Sequence, residues 1–333
     1  MRLLKFGLAV FALALGASSV ANAEPVKIRL SWVAPIANIA SIMLEKKDLA
    51  VHMGKSYVLE AVRYQGTPPM ITAVANNELE IADFAFSSFP IAIQNAGIDD
   101  LRVISDEFQD GVQGYYSNEY YVLNDGPIKK IEDLKGKVVA TNVAGSGVDI
   151  ASRAMLRKHG LEDKRDYTVI EAPFPTMKAL LLEKKADLIP AVLPFSLDPE
   201  LNKVAHRIFD MREAVGRTQF VMFTVRKSFI DKNRAALVDM MEDTLRITRW
   251  YIDQKNHQAA IEAVNRAVKI PVERLGWIFT NKDYYRDPNL MPDLNALQRN
   301  VDLTQELGFI KTKMDVKKYS DLSIVQEAAK RIK

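Results

Sequence analysis

The stretch that decides the fold is "DLKGKVVATNVAGSGVDIASRAMLRKHGL", residues 133–161. It begins with a short apolar strand, continues through a loop of glycine and serine, and ends in apolar residues at helical spacing. Ser146, with Asp149 three residues later, fits the capping box that starts a helix. A strand, a small-residue loop and a helix in this order are typical of an α/β sheet with parallel strands.

The same alternation precedes this stretch from Val26 and restarts sharply after Asn124. Two long predicted strands, 117–124 and 218–226, bracket the restart. Beyond Asp231 the pattern becomes almost wholly helical. We therefore predict two doubly wound α/β lobes that are joined by a two-strand hinge and can close around a ligand.

The predicted lobe boundaries follow from this pattern. Lobe one comprises 24–116 and 227–333, with its helical C-terminal tail packing on the lobe. Lobe two comprises 117–226, including both hinge strands. Residues 1–23 form a separate segment.

Residues 1–23 are predicted to be a signal peptide. Arg2 and Lys5 form a basic n-region, "FGLAVFALALGASSV" is the apolar region, and Ala21–Ala23 is a small-residue cleavage signal. Cleavage after Ala23 removes two of the 45 lysines and arginines, leaving 43 against 42 acidic residues, a net charge of +1. A chain with so little net charge has no global positive field to attract nucleic acid or an anionic membrane. We expect a periplasmic protein.

The sequence offers no catalytic, metal or cofactor motif. It contains 0 cysteines, so thiolate chemistry and disulfides are excluded, and its 4 histidines are scattered. "GSGVDI" lacks the third glycine of a dinucleotide fingerprint, and neither a phosphate-binding loop nor a G-x-S-x-G motif is present. We therefore predict a protein that is not an enzyme and needs no cofactor and no metal.

Small or hydroxyl residues follow the predicted strands wherever a helix begins. Helix capping alone would explain each one singly. Because the carboxyl ends of parallel strands share one edge of a sheet, the set would converge on one cleft, suited to a carboxylate or sulfonate. The residues at these ends include Ser31, Trp32, Gln65, Gly66, Thr67, Ser87, Ser88, Ser146, Gly147 and Phe174.

Arg217 is the expected counter-charge, because it stands just before the second predicted hinge strand. In "IADFAFSSFPIAI", residues 81–93, we predict that Ser88 caps the following helix. That leaves Ser87 as the serine that contacts ligand. The expected apolar walls draw on six aromatic residues, about half of which we expect to be core residues: Trp32, Phe86, Tyr115, Tyr116, Phe174 and Phe195.

The order of "SWVAPIANIASIMLEKK", "RYQGTPPMITAVANNELEIADFAFSSFPIA", "DLKGKVVATNVAGSGVD" and "APFPTMKALLLEKKADLI" resembles the periplasmic solute-binding proteins of ABC importers. More narrowly, it resembles their nitrate/sulfonate/taurine branch, which also includes proteins related to thiamine-pyrimidine synthesis. The resemblance implies a periplasmic-binding-protein-like fold and a ligand between the lobes. It also implies that the eleven residues named above, from Ser31 to Arg217, contact that ligand.

The resemblance also implies partners. These are a small-molecule ligand and the membrane permease of an ABC importer, with the protein itself expected to be a monomer. "FAFSSFP" and "SWVAP" add aromatic surface where many relatives have smaller residues, which favours a bulky or aromatic organic anion over nitrate, a carboxylate before a sulfonate. Two alternatives stay open: a ligand-binding partner of a membrane sensor, and a protein that binds a thiamine-pyrimidine precursor.

Overall fold

The computed structural model describes residues 24–332 of the 333-residue chain. The predicted signal peptide lies outside the described residues. No helix within them has the length and apolar character needed to cross a bilayer. The strands are β1 (Val26–Trp32), β2 (Tyr57–Arg63), β3 (Ile81–Ala85), β4 (Leu101–Asp110), β5 (Glu119–Leu123), β6 (Lys137–Thr141), β7 (Tyr167–Glu171), β8 (Ile189–Ala191), β9 (Ala205–Asp210) and β10 (Thr218–Arg226). The α-helices are α1 (Pro68–Ala75), α2 (Ser88–Gln94), α3 (Gly147–Lys158), α4 (Met177–Leu182), α5 (Pro199–Val204), α6 (Met211–Val215), α7 (Lys227–Ile252), α8 (His257–Val268), α9 (Leu294–Glu306) and α10 (Ser323–Arg331).

The first sheet has five strands in the order β2-β1-β3-β10-β4. β1 pairs with β2 and β3 in parallel, as expected for strands joined by crossover segments. β10 lies between β3 and β4 and runs antiparallel to both. All five residues of β3 are buried, as befits a strand covered on both faces.

The second unit, residues 119–210, contains two smaller sheets. β5 lies between β8 and β9 and is antiparallel to both, while β6 and β7 form a parallel pair. The amide of Ala140 donates to the carbonyl of Leu188 at 2.8 Å, so β6 runs beside β8 and joins the two sheets. The mixed α/β fold class is confirmed.

The position of β10 corrects one expectation. We predicted that 117–124 and 218–226 would both cross between lobes, but β10 pairs along its length inside the first sheet. The chain instead passes between the sheets in the segments 111–118 and 211–217. Strand length and hydrophobicity do not encode the pairing partner, so the sequence could not place β10.

Two predicted helical regions differ from the structure. The run "IANIASIMLEKKDLA" after β1 has apolar residues at helical spacing, which predicts a helix, but it forms two short 3₁₀ turns, Ile39–Ser41 and Met43–Lys46. Between α8 and α9 the chain is largely irregular, although a helix was expected around "PVERLGWIF". Helical spacing of apolar residues is also met by 3₁₀ turns that pack on a core, which explains both errors.

Candidate functional site

An apolar chamber, which we call the inner chamber, lies between the first sheet and the second unit. Its cavity volume is about 50 Å³, so the chamber is narrow in this structure. Residues from both sides of the chain line it. They are Val33, Ala34, Ala37, Asn38, Thr67, Ala85, Phe108, Asn142, Ser146, Gly147, Val148, Phe174, Val192, Phe220, Val221 and Tyr284.

The inner chamber carries no charged side chain among these lining residues. Its polar side chains already bond to protein groups: Thr67 meets the Ser88 hydroxyl at 2.6 Å, and Ser146 donates to Asn142 at 2.7 Å. The hydroxyl of Tyr284 donates to the side-chain oxygen of Asn118. Since a buried charge without a partner is costly, the chamber suits the apolar body of a ligand.

Three aromatic rings form one wall of the inner chamber. Phe108 packs edge-on against Phe220 with ring centres 5.5 Å apart, and lies 4.6 Å from Tyr284. None of the three was predicted from the sequence. Phe108 and Phe220 lie in strand interiors, and Tyr284 lies in an irregular segment, so no strand-end or motif signal marked them.

A second, outer chamber adjoins the inner one and shares Val33, Ala34 and Phe174 with it. Its cavity volume is about 270 Å³. Arg63 is the charged side chain among its lining residues, and it is exposed. The remaining members of the lining are Pro35, Tyr64, Gln65, Pro173, Pro175 and Phe195.

Hydrogen bonds close the gap between the two units beside the inner chamber. Gln65 and Asn142 pair reciprocally: each side-chain amide donates to the other's backbone carbonyl, at 3.1 and 3.2 Å. At Gly66 the backbones approach so closely that an added Cβ would lie 2.8 Å from Asn142 and from Val143. Gln65 and Gly66, predicted as ligand contacts, therefore connect the two units in this structure.

The two serines of "IADFAFSSFPIAI" are both fully buried. Ser87, not Ser88, stands at the N-cap of α2, and neither side chain caps it. The Ser87 hydroxyl donates to the carbonyl of Gly145 at 2.8 Å, while Ser88 bonds Thr67. The prediction that Ser88 caps the helix is therefore wrong, and Ser87 adds a third bond between the units.

Ser31 and Trp32 end β1 in different environments. The Ser31 hydroxyl is buried, donates to the Met70 sulfur at 3.1 Å and accepts from the amide of Asp83 at 2.8 Å. It therefore braces the first sheet. Trp32 pairs in register with Arg63 of β2, and the Arg63 guanidinium lies 5.2 Å from the centre of its ring.

Four of the predicted contacts do line the inner chamber: Thr67, Ser146, Gly147 and Phe174. Ser146 also caps α3, as predicted, since its hydroxyl accepts from the amide of Asp149 at 3.4 Å. At Gly147 an added Cβ would lie 2.6 Å from the Phe220 ring. The absence of a side chain there keeps this end of the chamber open.

Arg217 does not line either chamber, which corrects its expected position. Its guanidinium pairs with Asp293 at 3.0 Å and donates to Gln109 at 3.0 Å. Asp293 stands at the start of α9, 76 positions further along the chain by residue number, so the pairing was invisible in the sequence. Arg217 therefore already has a counter-ion, whereas Arg63 forms no ion pair with a carboxylate of residues 24–332.

A pair of buried acids lies beneath the inner chamber. Asn38, which lines the chamber, donates to both Asp83 and Glu107. Glu107 also accepts from the amide of Ile39 at 2.6 Å. Burial and the neighbouring Glu107 charge raise the pKa of Asp83 well above its usual range. Burial raises the pKa of Glu107 as well, so the two carboxyls titrate as a pair that retains a proton above the usual range of either acid.

One group outside the chambers has the composition of a metal site. His52, Asp239 and Glu242 place ligand atoms within 4.8 Å of one another. However, Asp239 pairs with Arg331 at 2.8 Å, and Glu242 pairs with Arg246. These arginines already neutralise the carboxylates, so the group serves as an ion-pair network between α7 and α10.

Sequence comparison assigns the chain to a family. Residues 21–265 match the model of the NMT1-like family. The chain belongs to this family. A comparison with curated protein sequences gives no significant match for this NMT1-like chain.

Solved structures share the fold of this NMT1-like chain. The periplasmic nitrate-binding protein NrtA from Synechocystis PCC 6803 superposes with a TM-score of 0.72 at 15% identity, covering 93% of this chain and 90% of that one. The alkanesulfonate-binding protein SsuA from Xanthomonas axonopodis pv. citri, bound to MOPS, gives 0.69 at 15% identity, covering 90% and 99%. The periplasmic-binding-protein-like fold that the resemblance implied is thus confirmed.

The same fold also occurs in an enzyme. The desulfurization enzyme DSZB superposes with a TM-score of 0.65 at 11% identity, covering 92% of this chain and 100% of that one. The fold alone therefore does not separate binding from catalysis, and the chemistry of the site has to decide.

Proposed function

We propose that this protein is the solute-binding component of an ABC importer, which captures a small organic anion between two lobes and delivers it to a membrane permease. The observation that carries the proposal is the inner chamber, which is lined by residues from both units and bridged by hydrogen bonds at its edge. An apolar chamber between two α/β units suits reversible capture. The solute-binding relatives share this fold.

The chamber favours binding over catalysis. Among the described residues that line it there is no histidine, lysine, arginine or carboxylate to act as acid or base. The hydroxyls of Ser146 and Thr67 already bond to neighbouring side chains, so no activated nucleophile is presented. An enzyme would need a group that moves protons or attacks the ligand.

The proposed role includes export and docking. The predicted leader would place the mature chain in the periplasm, as in NrtA from Synechocystis PCC 6803. The lobes are the first sheet with its helices and the second unit, joined through 111–118 and 211–217. The protein would act as a monomer that presents its closed form to the permease.

A thermal-shift screen tests the function. Residues 24–333 would be purified and heated with a panel of organic acids, amides and amines. A solute at 100 times its Kd should stabilise the protein by about 2.7 kcal/mol. The solute itself should be chemically unchanged after incubation. Consumption of a stabilising compound, measured by chromatography, would point to an enzyme instead. A panel without any stabilising solute would contradict the proposal.

A further inference from the structure

The two chambers differ in the charge that they offer a ligand. The inner chamber has no charged side chain among its lining residues, and its polar groups are engaged with one another. The outer chamber contributes Arg63, and the two chambers share Val33, Ala34 and Phe174. A ligand that spans both would meet an apolar environment at one end and a cation at the other.

Arg63 is held ready for an anion. It ends β2 directly opposite Trp32, the last residue of β1, and its guanidinium lies 5.2 Å from the indole ring centre. Stacking on a ring uses the face of a guanidinium and leaves its N–H edge free for a carboxylate or sulfonate. Arg217, by contrast, is already ion-paired with Asp293.

We propose that Arg63 is the residue that selects the charge of the ligand, and that the ligand is an amphipathic monoanion. Its apolar body would fill the inner chamber, and its acidic group would meet Arg63 in the outer chamber. This inference rests on the proposed solute-binding function and adds the chemical class and orientation of the solute. It also replaces Arg217 as the expected counter-charge.

Matched probes separate charge from shape. Benzoate with benzamide, and hexanoate with hexanamide, differ at the head group and keep the same apolar body. Hexanesulfonate tests the second acid type. Calorimetry on residues 24–333 should show binding of at least one acid about tenfold or more tighter than its amide, because a charge-assisted contact is much stronger than a neutral one.

Arg63→Gln should abolish this acid preference, lowering acid affinity about tenfold or more and leaving amide affinity unchanged. Arg217→Gln is the control, since it removes another exposed arginine that lies outside the chambers, and it should leave both affinities within about twofold. Arg63→Lys should retain part of the preference, because lysine keeps the charge and loses the planar fork. Circular dichroism and melting temperature would verify that each variant is folded.

The outcomes separate the role of Arg63 and the anion class from the proposed solute-binding function. An acid bound as tightly by Arg63→Gln as by the wild type would overturn the role of Arg63. Equal binding of acid and amide, or stabilisation by neutral or cationic solutes alone, would overturn the anion class and leave solute capture standing. No binding of any probe or screened solute would remove the proposed function together with this inference.

Discussion

Asp83 illustrates how one buried group couples the inner chamber to pH. Its carboxyl is completely buried, one of its oxygens has no hydrogen-bond partner in the described structure, and its pKa is raised by burial and by Glu107. Asn38 bonds both acids and also lines the chamber. A change in the protonation of Asp83 therefore acts on a residue that a ligand would touch.

The raised pKa of Asp83 predicts a stability that falls with rising pH. In the folded protein the pair of Asp83 and Glu107 retains a proton above its usual range, whereas Asp83 in the unfolded chain loses its proton at about pH 4. Above that pH the pair should lower the unfolding free energy by about 1.4 kcal/mol with each further unit, until its folded pKa is passed. Asp83→Asn, which keeps a neutral side chain at every pH, should reduce the slope by this amount. Denaturant unfolding between pH 5 and 8 measures the slope, and an unchanged slope in the variant would show that the pair does not hold the proton.

Gly147 contributes to the chamber because it has no side chain. An added Cβ would lie 2.6 Å from Phe220, inside the chamber wall. We expect Gly147→Ala to displace the Phe220 ring and weaken ligand binding about tenfold or more, with some loss of thermal stability. Gly276→Ala is the control, because a Cβ there meets no atom within 4 Å. Equal affinities in the two variants would count against the chamber as the binding site.

At the scale of elements, the loops after β2 and β6 hold the two units together. The reciprocal bonds between Gln65 and Asn142, with the Ser87–Gly145 bond beside them, stabilise this closed arrangement. A single such bond contributes about 0.5–1.5 kcal/mol. The closed state is thus held by a few modest bonds, which a bound solute would reinforce.

Asn142→Ala should weaken that arrangement without unfolding the protein. It removes the bond to the Gln65 carbonyl and also the acceptor of the Ser146 hydroxyl at the chamber wall, so ligand dissociation should accelerate about three- to tenfold. Asn124→Ala is the control, because Asn124 bonds Lys203 within the second unit. Stopped-flow dissociation rates provide the comparison. Equal rates for both variants would show that the bonds between Gln65 and Asn142 do not retain the ligand.

The alternation of elements was readable from sequence, because strand and helix periodicities differ and helix starts carry caps such as Ser146. Most strands of the three sheets, and the placement of Thr67, Ser146, Gly147 and Phe174 at the chamber, follow from that alternation. The sequence does not reveal which residue lies beside another. Nothing in the sequence indicates that Arg217 pairs with Asp293, and Tyr284 joins the chamber wall from an irregular segment without periodicity.

For the whole molecule, the two segments that join the units cross at a pair of glycines. Gly111 has a φ of +71°, and an added Cβ would lie 2.9 Å from the carbonyl oxygen of Gly216. Next to them, the carboxyl of Asp110 accepts from Ser117 at 2.6 Å. The crossing is therefore a compact joint with little room for larger residues.

Gly111→Ala should lower the unfolding free energy by more than backbone strain alone would. The left-handed backbone costs an alanine about 1–2 kcal/mol, and the contact with Gly216 adds to that. Gly114→Ala is the matched control: its φ is +83°, yet nothing lies within 4 Å of an added Cβ. The difference between the two melting temperatures measures the cost of the contact with the Gly216 carbonyl. Equal melting temperatures would show that the joint accommodates the added methyl group.

The central place of β10 has a consequence for the order of folding. β10 separates β3 from β4, so the first sheet lacks an interior strand until residue 218 has been reached. Residues 119–210 lie between β4 and β10 in the chain as one continuous segment. The pairs that their strands form join residues closer in sequence than the pairs of β10 with β3 and β4. Because closing long loops is slow, we expect the inserted unit to become protected from hydrogen exchange first during refolding. The first sheet, and with it the ligand chamber, would then form last.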